Sequence, residues 1–174
     1  MSNPELPARQ SSPEPDVVAT LASVAVPGLR VLLVEVAPGE AIFQPDALPQ
    51  PSPLEEDGPH PLPAYLPAGL APRSFGAGYC AVDARGAFQA TWIELGLPPE
   101  QPLWLPWDSA DGLTPAMQGF ELGGRPCVAV AAAWSAVSRE RLPLVITRAG
   151  PESCWLVSGR LSIDQLARIA ASLP

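Results

Sequence analysis

An α+β fold is what this chain predicts: a mostly antiparallel sheet of about six strands, with a C-terminal helix packed on one face and a short N-terminal helix. Three observations carry that expectation. Residues 162–173 hold an amphipathic pattern with its own start signal. Short β-type runs flank Gly-containing turns at Arg85-Gly86, at Gly123-Gly124 and at residues 149–152. No segment repeats at a fixed period, which sets solenoids and propellers aside.

The helix has the best-marked start. Ser162 stands at the N-cap and Gln165 three residues on, the capping-box pattern. Leu161 before the cap and Leu166 after it match a hydrophobic staple. Leu166, Ile169, Ala170 and Leu173 recur at i, i+3, i+4 and i+7, one apolar stripe for a sheet to cover. Asp164 sits in the first turn, where the helix dipole favours an anion, and Pro174 ends the run.

The strands follow from local chemistry. Residues 29–36 (LRVLLVEV) are short and rich in β-branched side chains. Residues 79–84 and 87–95 read as a hairpin about Arg85-Gly86. Residues 120–122 and 126–134 read as a second hairpin, and residues 144–148 and 154–158 as a third. Residues 16–24 (DVVATLASV) place Val17, Leu21 and Val24 on one helical face, so a short helix is expected there, ended by Pro27-Gly28. Residues 97–119 read as irregular. Residues 1–15 read as a flexible tail before a single domain, 16–174. Within it, residues 45–63 form a proline-rich acidic loop, because proline removes donors and fixes φ.

Composition narrows the function. A chain of 174 residues with 47% apolar residues is long enough for one real core. The net charge is −8, and all ten basic residues are Arg. Nucleic-acid binding needs a basic footprint to displace counterions, and none is present. No apolar run approaches the 18 or so residues of a membrane-spanning helix. The polar start lacks the basic and apolar regions of a signal peptide, which places the chain in the cytoplasm or downstream of an anchor. The 24 prolines far exceed the usual share of about 5%.

The search for chemistry returns no catalytic, cofactor-binding or metal-binding residues. His60 is the one histidine and lies between Pro59 and Pro61, a setting that predicts a solvated ring rather than a held base. Cys80, Cys127 and Cys154 stand apart, without a Cys-x-x-Cys pair. They read as buried thiols, with a Cys80–Cys127 bridge as the alternative in an oxidising compartment. Gly76-Ala77-Gly78 lacks the third glycine of a nucleotide loop. Asp108 and Asp111 lack the regular ladder of a calcium loop. As a candidate ligand-binding set the sequence offers Trp104, Trp107, Asp108, Trp134 and Trp155, since indole rings stack on flat or apolar ligands.

Two stretches resemble a known family. Residues 62–70 (LPAYLPAGL) resemble the proline, aromatic, Leu-Pro-x-Gly-Leu opening of a bacterial extracytoplasmic domain of unknown function. That domain lies behind the membrane anchor of sporulation-linked and anti-sigma-type proteins and is similar in style to outer-membrane lipoprotein carriers. Residues 155–173 (WLVSGRLSIDQLARIAASL) resemble its closing strand, glycine and capped helix. The resemblance implies a non-enzymatic binding or sensory domain, envelope-associated and regulatory. Its partner would be a protein, a peptide or a small apolar ligand held in a groove between sheet and helix near Trp134 or Trp155. Two alternatives stand beside it. One is a carbohydrate-active hydrolase or sugar-binding module using Trp104, Trp107 and Asp108, with Asp111 and Glu121 as further carboxylates. The other is a cytoplasmic protein–protein interaction domain working through the proline-rich loop.

Overall fold

The computed structural model describes residues 17–36, 51–56, 58, 60–75, 78–107, 114–135 and 138–174. The expected tail, 1–15, and residues 45–50, 57 and 59 of the expected loop, 45–63, lie outside these residues. In chain order the elements are β1 (Val17–Val26), β2 (Leu29–Val36), β3 (Ala71–Phe75), β4 (Gly78–Val82), β5 (Phe88–Gly96), β6 (Leu103–Trp107), β7 (Met117–Leu122), β8 (Arg125–Ser135), β9 (Glu140–Gly150), β10 (Ser153–Gly159) and α1 (Ile163–Ser172). The strands form two sheets, not one of six. A seven-stranded sheet runs β3-β4-β5-β10-β9-β8-β7, and a three-stranded sheet runs β1-β2-β6. Every pairing in the large sheet is antiparallel. In the small sheet β2 and β6 run parallel.

The layering follows from the central strands. Val128, Val130, Leu144, Ile146 and Cys154 pack in one buried cluster with Leu29, Val31 and Leu103 of the small sheet. Their chain neighbours Cys127, Ala129, Val145, Trp155 and Val157 pack in another with Leu166, Ile169, Ala170 and Leu173. Successive side chains of a strand point to opposite faces, so β8, β9 and β10 are apolar on both. The small sheet covers one face and α1 the other. The result is three layers: small sheet, large sheet, helix.

Three local expectations need correction. The helix expected over 16–24 is replaced by strand from Val17 on: β1 pairs with β2 through a turn at Pro27-Gly28, where Gly28 has φ +85°. Val17, Leu21 and Val24 sit at a helical spacing, but the density of valine and the hairpin turn favour the pleated alternative. Residues 97–119 are not wholly irregular, since β6 forms there against the distant β2. β3 adds a further strand at the edge of the large sheet beside β4. The expected hairpins appear at β4–β5, β7–β8 and β9–β10. In the first, Asp83 Oδ1 accepts from the amides of Arg85 (2.8 Å) and Ala87 (3.0 Å), with Gly86 at φ +82°.

The helix forms as its sequence predicts. Ser162 Oγ accepts from the Gln165 amide at 3.2 Å, and Gln165 Oε1 accepts from the Ser162 amide at 3.1 Å. Leu161 and Leu166 meet in the helix-side core. No described helix is long and apolar enough to cross a membrane.

One contact locks the layers, and another sets the close approach of β10 to the start of β5 within the large sheet. Arg148 on β9 donates from Nε to the Gly28 carbonyl at 2.7 Å, from one terminal nitrogen to Pro98 at 3.2 Å, and from the other to Leu97. One guanidinium thus ties the β1–β2 turn and the β5–β6 connection to the large sheet. Gly159 sits where a Cβ would lie 2.2 Å from the Gln89 carbonyl oxygen and 2.7 Å from Ala90 Cα, so only hydrogen fits. The edge strands carry interruptions: Pro72 in β3, Pro106 in β6, and register shifts along β1.

Two substitutions test this account by urea denaturation, read as a shift in midpoint at unchanged slope. Gly159→Ala should destabilise by about 1–3 kcal/mol, because backbone rather than a movable side chain blocks the added methyl. Ser162→Ala should cost about 1 kcal/mol through loss of the cap.

Candidate functional site

The structure does not gather the five sequence-derived candidates into one site. Trp155 is 3% exposed in the helix-side core, and its Nε1 donates to the Pro174 carbonyl at 3.0 Å. The groove expected between sheet and helix is therefore filled at Trp155. Trp134 is half-buried at the far end of β8, with its Nε1 enclosed and without a hydrogen-bond partner. Trp107 is buried, and the Arg141 guanidinium lies 3.8 Å from its ring centroid, so one ring face is already taken. Trp104 packs on Val34 and Val36. Asp108 and Asp111 lie outside the described residues, and Glu121 stands exposed on β7. Among the described residues no three His, Cys, Asp or Glu side chains converge as metal ligands.

A small cleft opens beside Thr91, Ser135, Ser138 and Ser158 at the ends of β5 and β10. Thr91 Oγ1 and Ser158 Oγ are 3.3 Å apart, Ser135 Oγ accepts from the Ser138 amide at 3.3 Å, and Ser138 Oγ is enclosed without a partner. The space holds about one water molecule, too little for an organic substrate.

The most developed aromatic arrangement lies elsewhere. α1 packs over β7 to β10. Beside it, on the same face, Tyr79 of β4 and Trp92 of β5 are cross-strand neighbours and stack with centroids 6.5 Å apart and planes 14° apart. Residues 60–70 cross this area as a strap. The prolines at 61, 63 and 67 fix φ and keep the strap from becoming helix or central strand. A tight turn, with the Leu62 amide donating to the His60 carbonyl at 2.8 Å, brings Pro61 to Trp92. Trp92 is 0% exposed, and its indole Nε1 donates to the Pro61 carbonyl at 2.9 Å. Farther along, the Ala64 amide donates to the Ser172 carbonyl (3.1 Å) and the Tyr65 amide to Ser172 Oγ (3.0 Å). The Arg168 guanidinium sits 4.4 Å from the Tyr65 ring centroid. Tyr65, Leu66 and Leu70 are only partly buried, and Leu62 is 40% exposed.

His60 departs from its expected solvated state. Its ring meets Tyr79 edge-on at 6.1 Å and 73°. Its Nε2 bonds the Glu55 carbonyl, and its enclosed Nδ1 has no hydrogen-bond partner. Sequence reasoning passed over Tyr79 and Trp92 because each looks like an ordinary strand residue. The available signal was the Pro-Ala-Tyr-Leu-Pro segment, which supplies the rings' cover.

The cysteines are free and buried, as expected. A Cys80–Cys127 bridge is excluded by register. β5, β10 and β9 lie between β4 and β8, which at about 4.8 Å per strand is roughly 19 Å, against a disulfide limit near 7 Å. Burial pushes the Cys154 thiol up to about 12, against the nearby Arg148, and the Cys80 thiol up to about 11. Comparison with known protein families, curated proteins and solved structures finds no match for this chain.

A thiol whose folded pKa is raised keeps its proton where the unfolded chain loses it. The associated stability is complete below the ordinary thiol value of about 8.5 and is lost as pH climbs beyond it. Unfolding free energy should therefore decline from about pH 9 upward, and replacing Cys154 and Cys80 by Ala should flatten that decline. A disulfide-exchange reagent at pH 8 should titrate no thiol in the native chain and all three after denaturation.

Proposed function

We propose that this chain is a non-enzymatic binding domain whose partner is a protein, in the regulatory, envelope-associated setting that its resemblance implies. One observation carries the reading. The space expected to admit a small apolar ligand is occupied by Trp155 and the helix stripe, whereas an aromatic and proline-rich surface stands beside the helix, with Leu62 presented to solvent. Such a surface suits protein contact, where aromatic anchors supply most of the binding energy. The acidic net charge of −8 favours a partner with a basic rim, through steering at the periphery.

The hydrolase alternative gains no support from the described residues. One face of Trp107 is taken by Arg141, and Asp108 and Asp111 lie outside the described residues.

The test is reconstitution. Proteins cross-linked to the full chain in its native source are purified and remixed with it, and complex formation is followed by size-exclusion chromatography and titration calorimetry. A stoichiometric complex, weakened at raised salt and by Leu62→Asp, is expected. If no cross-linked candidate forms a complex with the purified chain, the reading falls.

A further inference from the structure

We propose that Tyr79, Trp92 and Ser172 line a groove for a proline-rich peptide, held closed in this structure by the chain's own residues 60–70 as a displaceable internal ligand. This rests on the binding reading above and names its partner chemistry.

The seated segment shows what the groove recognises. The segment that crosses the stacked Tyr79 and Trp92 rings holds three prolines in eleven residues, 60–70, and its His60 ring meets Tyr79 edge-on. Trp92 presents its indole N–H to a proline carbonyl at 2.9 Å. Ser172 supplies a hydroxyl and a carbonyl to two successive strap amides. Aromatic rings with a donor aimed at a peptide carbonyl are how proline-rich peptides are read in general, since proline loses little conformational entropy on docking.

The strap is also built to leave. Within residues 60–70 it has no regular secondary structure. Its anchoring side chains Tyr65, Leu66 and Leu70 are partly rather than fully buried. α1 does not depend on it for a partner, because α1 packs on β7 to β10. Lifting the strap exposes Trp92 and frees its indole donor, which is destabilising if reburied without a partner. An incoming peptide must therefore bring its own carbonyl, which excludes a purely hydrocarbon occupant. The tether holds the internal ligand at an effective concentration on the order of millimolar. An external peptide competes poorly until a partner or a mutation loosens the strap.

The probe is an acetylated, amidated peptide of residues 60–70, titrated against the full chain with tryptophan fluorescence and the Trp92 indole NMR signal as readouts. The double variant Tyr65→Ala, Leu66→Ala weakens the strap and leaves the groove intact. It should bind the peptide at least about tenfold more tightly than the unaltered chain. Adding Trp92→Phe should reduce that binding several-fold, and a peptide with its prolines replaced by alanine should lose it. A folded double variant that ignores the peptide, or that binds both peptides alike, overturns the proposal.

Should the double variant not fold, hydrogen exchange on the unaltered chain decides. The Trp92 indole and the amides of Ala64 and Tyr65 should exchange together, well before the amides of β8 to β10. Exchange of all of them in one global event overturns the proposal. A reconstituted partner complex that the strap peptide fails to disrupt ends this inference and leaves the binding reading standing.

Discussion

Everything in this molecule answers to one constraint: the middle of the large sheet is apolar on both faces. Antiparallel sheets often leave one face wet, but β8, β9 and β10 alternate valine, leucine, isoleucine and tryptophan on both sides. Each such side chain gains about 1.5–3 kcal/mol on full burial, so leaving a whole face uncovered is costly. Three covers meet the demand. The small sheet takes one face, α1 takes most of the other, and the strap takes the remainder at Tyr79 and Trp92. The proline-rich segment has a structural duty before it has any other.

Covers made of separate chain segments must be fixed to the sheet, and the fixings are polar. Arg148 reaches three carbonyls from one side chain, and hydrogen bonds from a charged donor are the stronger kind. Ser172 serves the strap similarly with neutral groups: its hydroxyl donates to Ile169 at 2.9 Å while accepting from Tyr65. The exposed Arg160–Glu140 pair, 2.7 Å apart, adds little by comparison, because solvent screens it. The small sheet is therefore held by a charged clamp, and the strap by neutral hydrogen bonds, partial burial and the Arg168 guanidinium on the Tyr65 ring.

What the sequence made legible is what chain neighbours decide. The capping box at Ser162 and Gln165, the leucine pair around it and the glycine turns of three hairpins all act within a few residues, and the structure reproduces them. What stayed hidden depends on distant partners. β6 contains Pro106 and exists because β2, some seventy residues earlier, offers it a parallel ladder. β1 carries apolar spacing that suits helix and strand alike, and β2 settles the choice. The tryptophans were recognisable as residues of consequence but not assignable. Whether an indole lies in a core, as Trp155 does, or under a strap, as Trp92 does, follows from what crosses above it.

The edges of the two sheets carry a consequence for how another chain could add to them. Proline in β3 and β6 denies a donor to an incoming strand, and the shifts along β1 break the even spacing such a strand would need. Growth of the ladder from these sides is closed. Only β7 among the four edges lacks both proline and register shifts, so at the other three a contact with another chain runs through side chains rather than through shared backbone pairing. A surface read that way is specific to composition, and it can change its preferences by single substitutions while the architecture beneath it stays as it is.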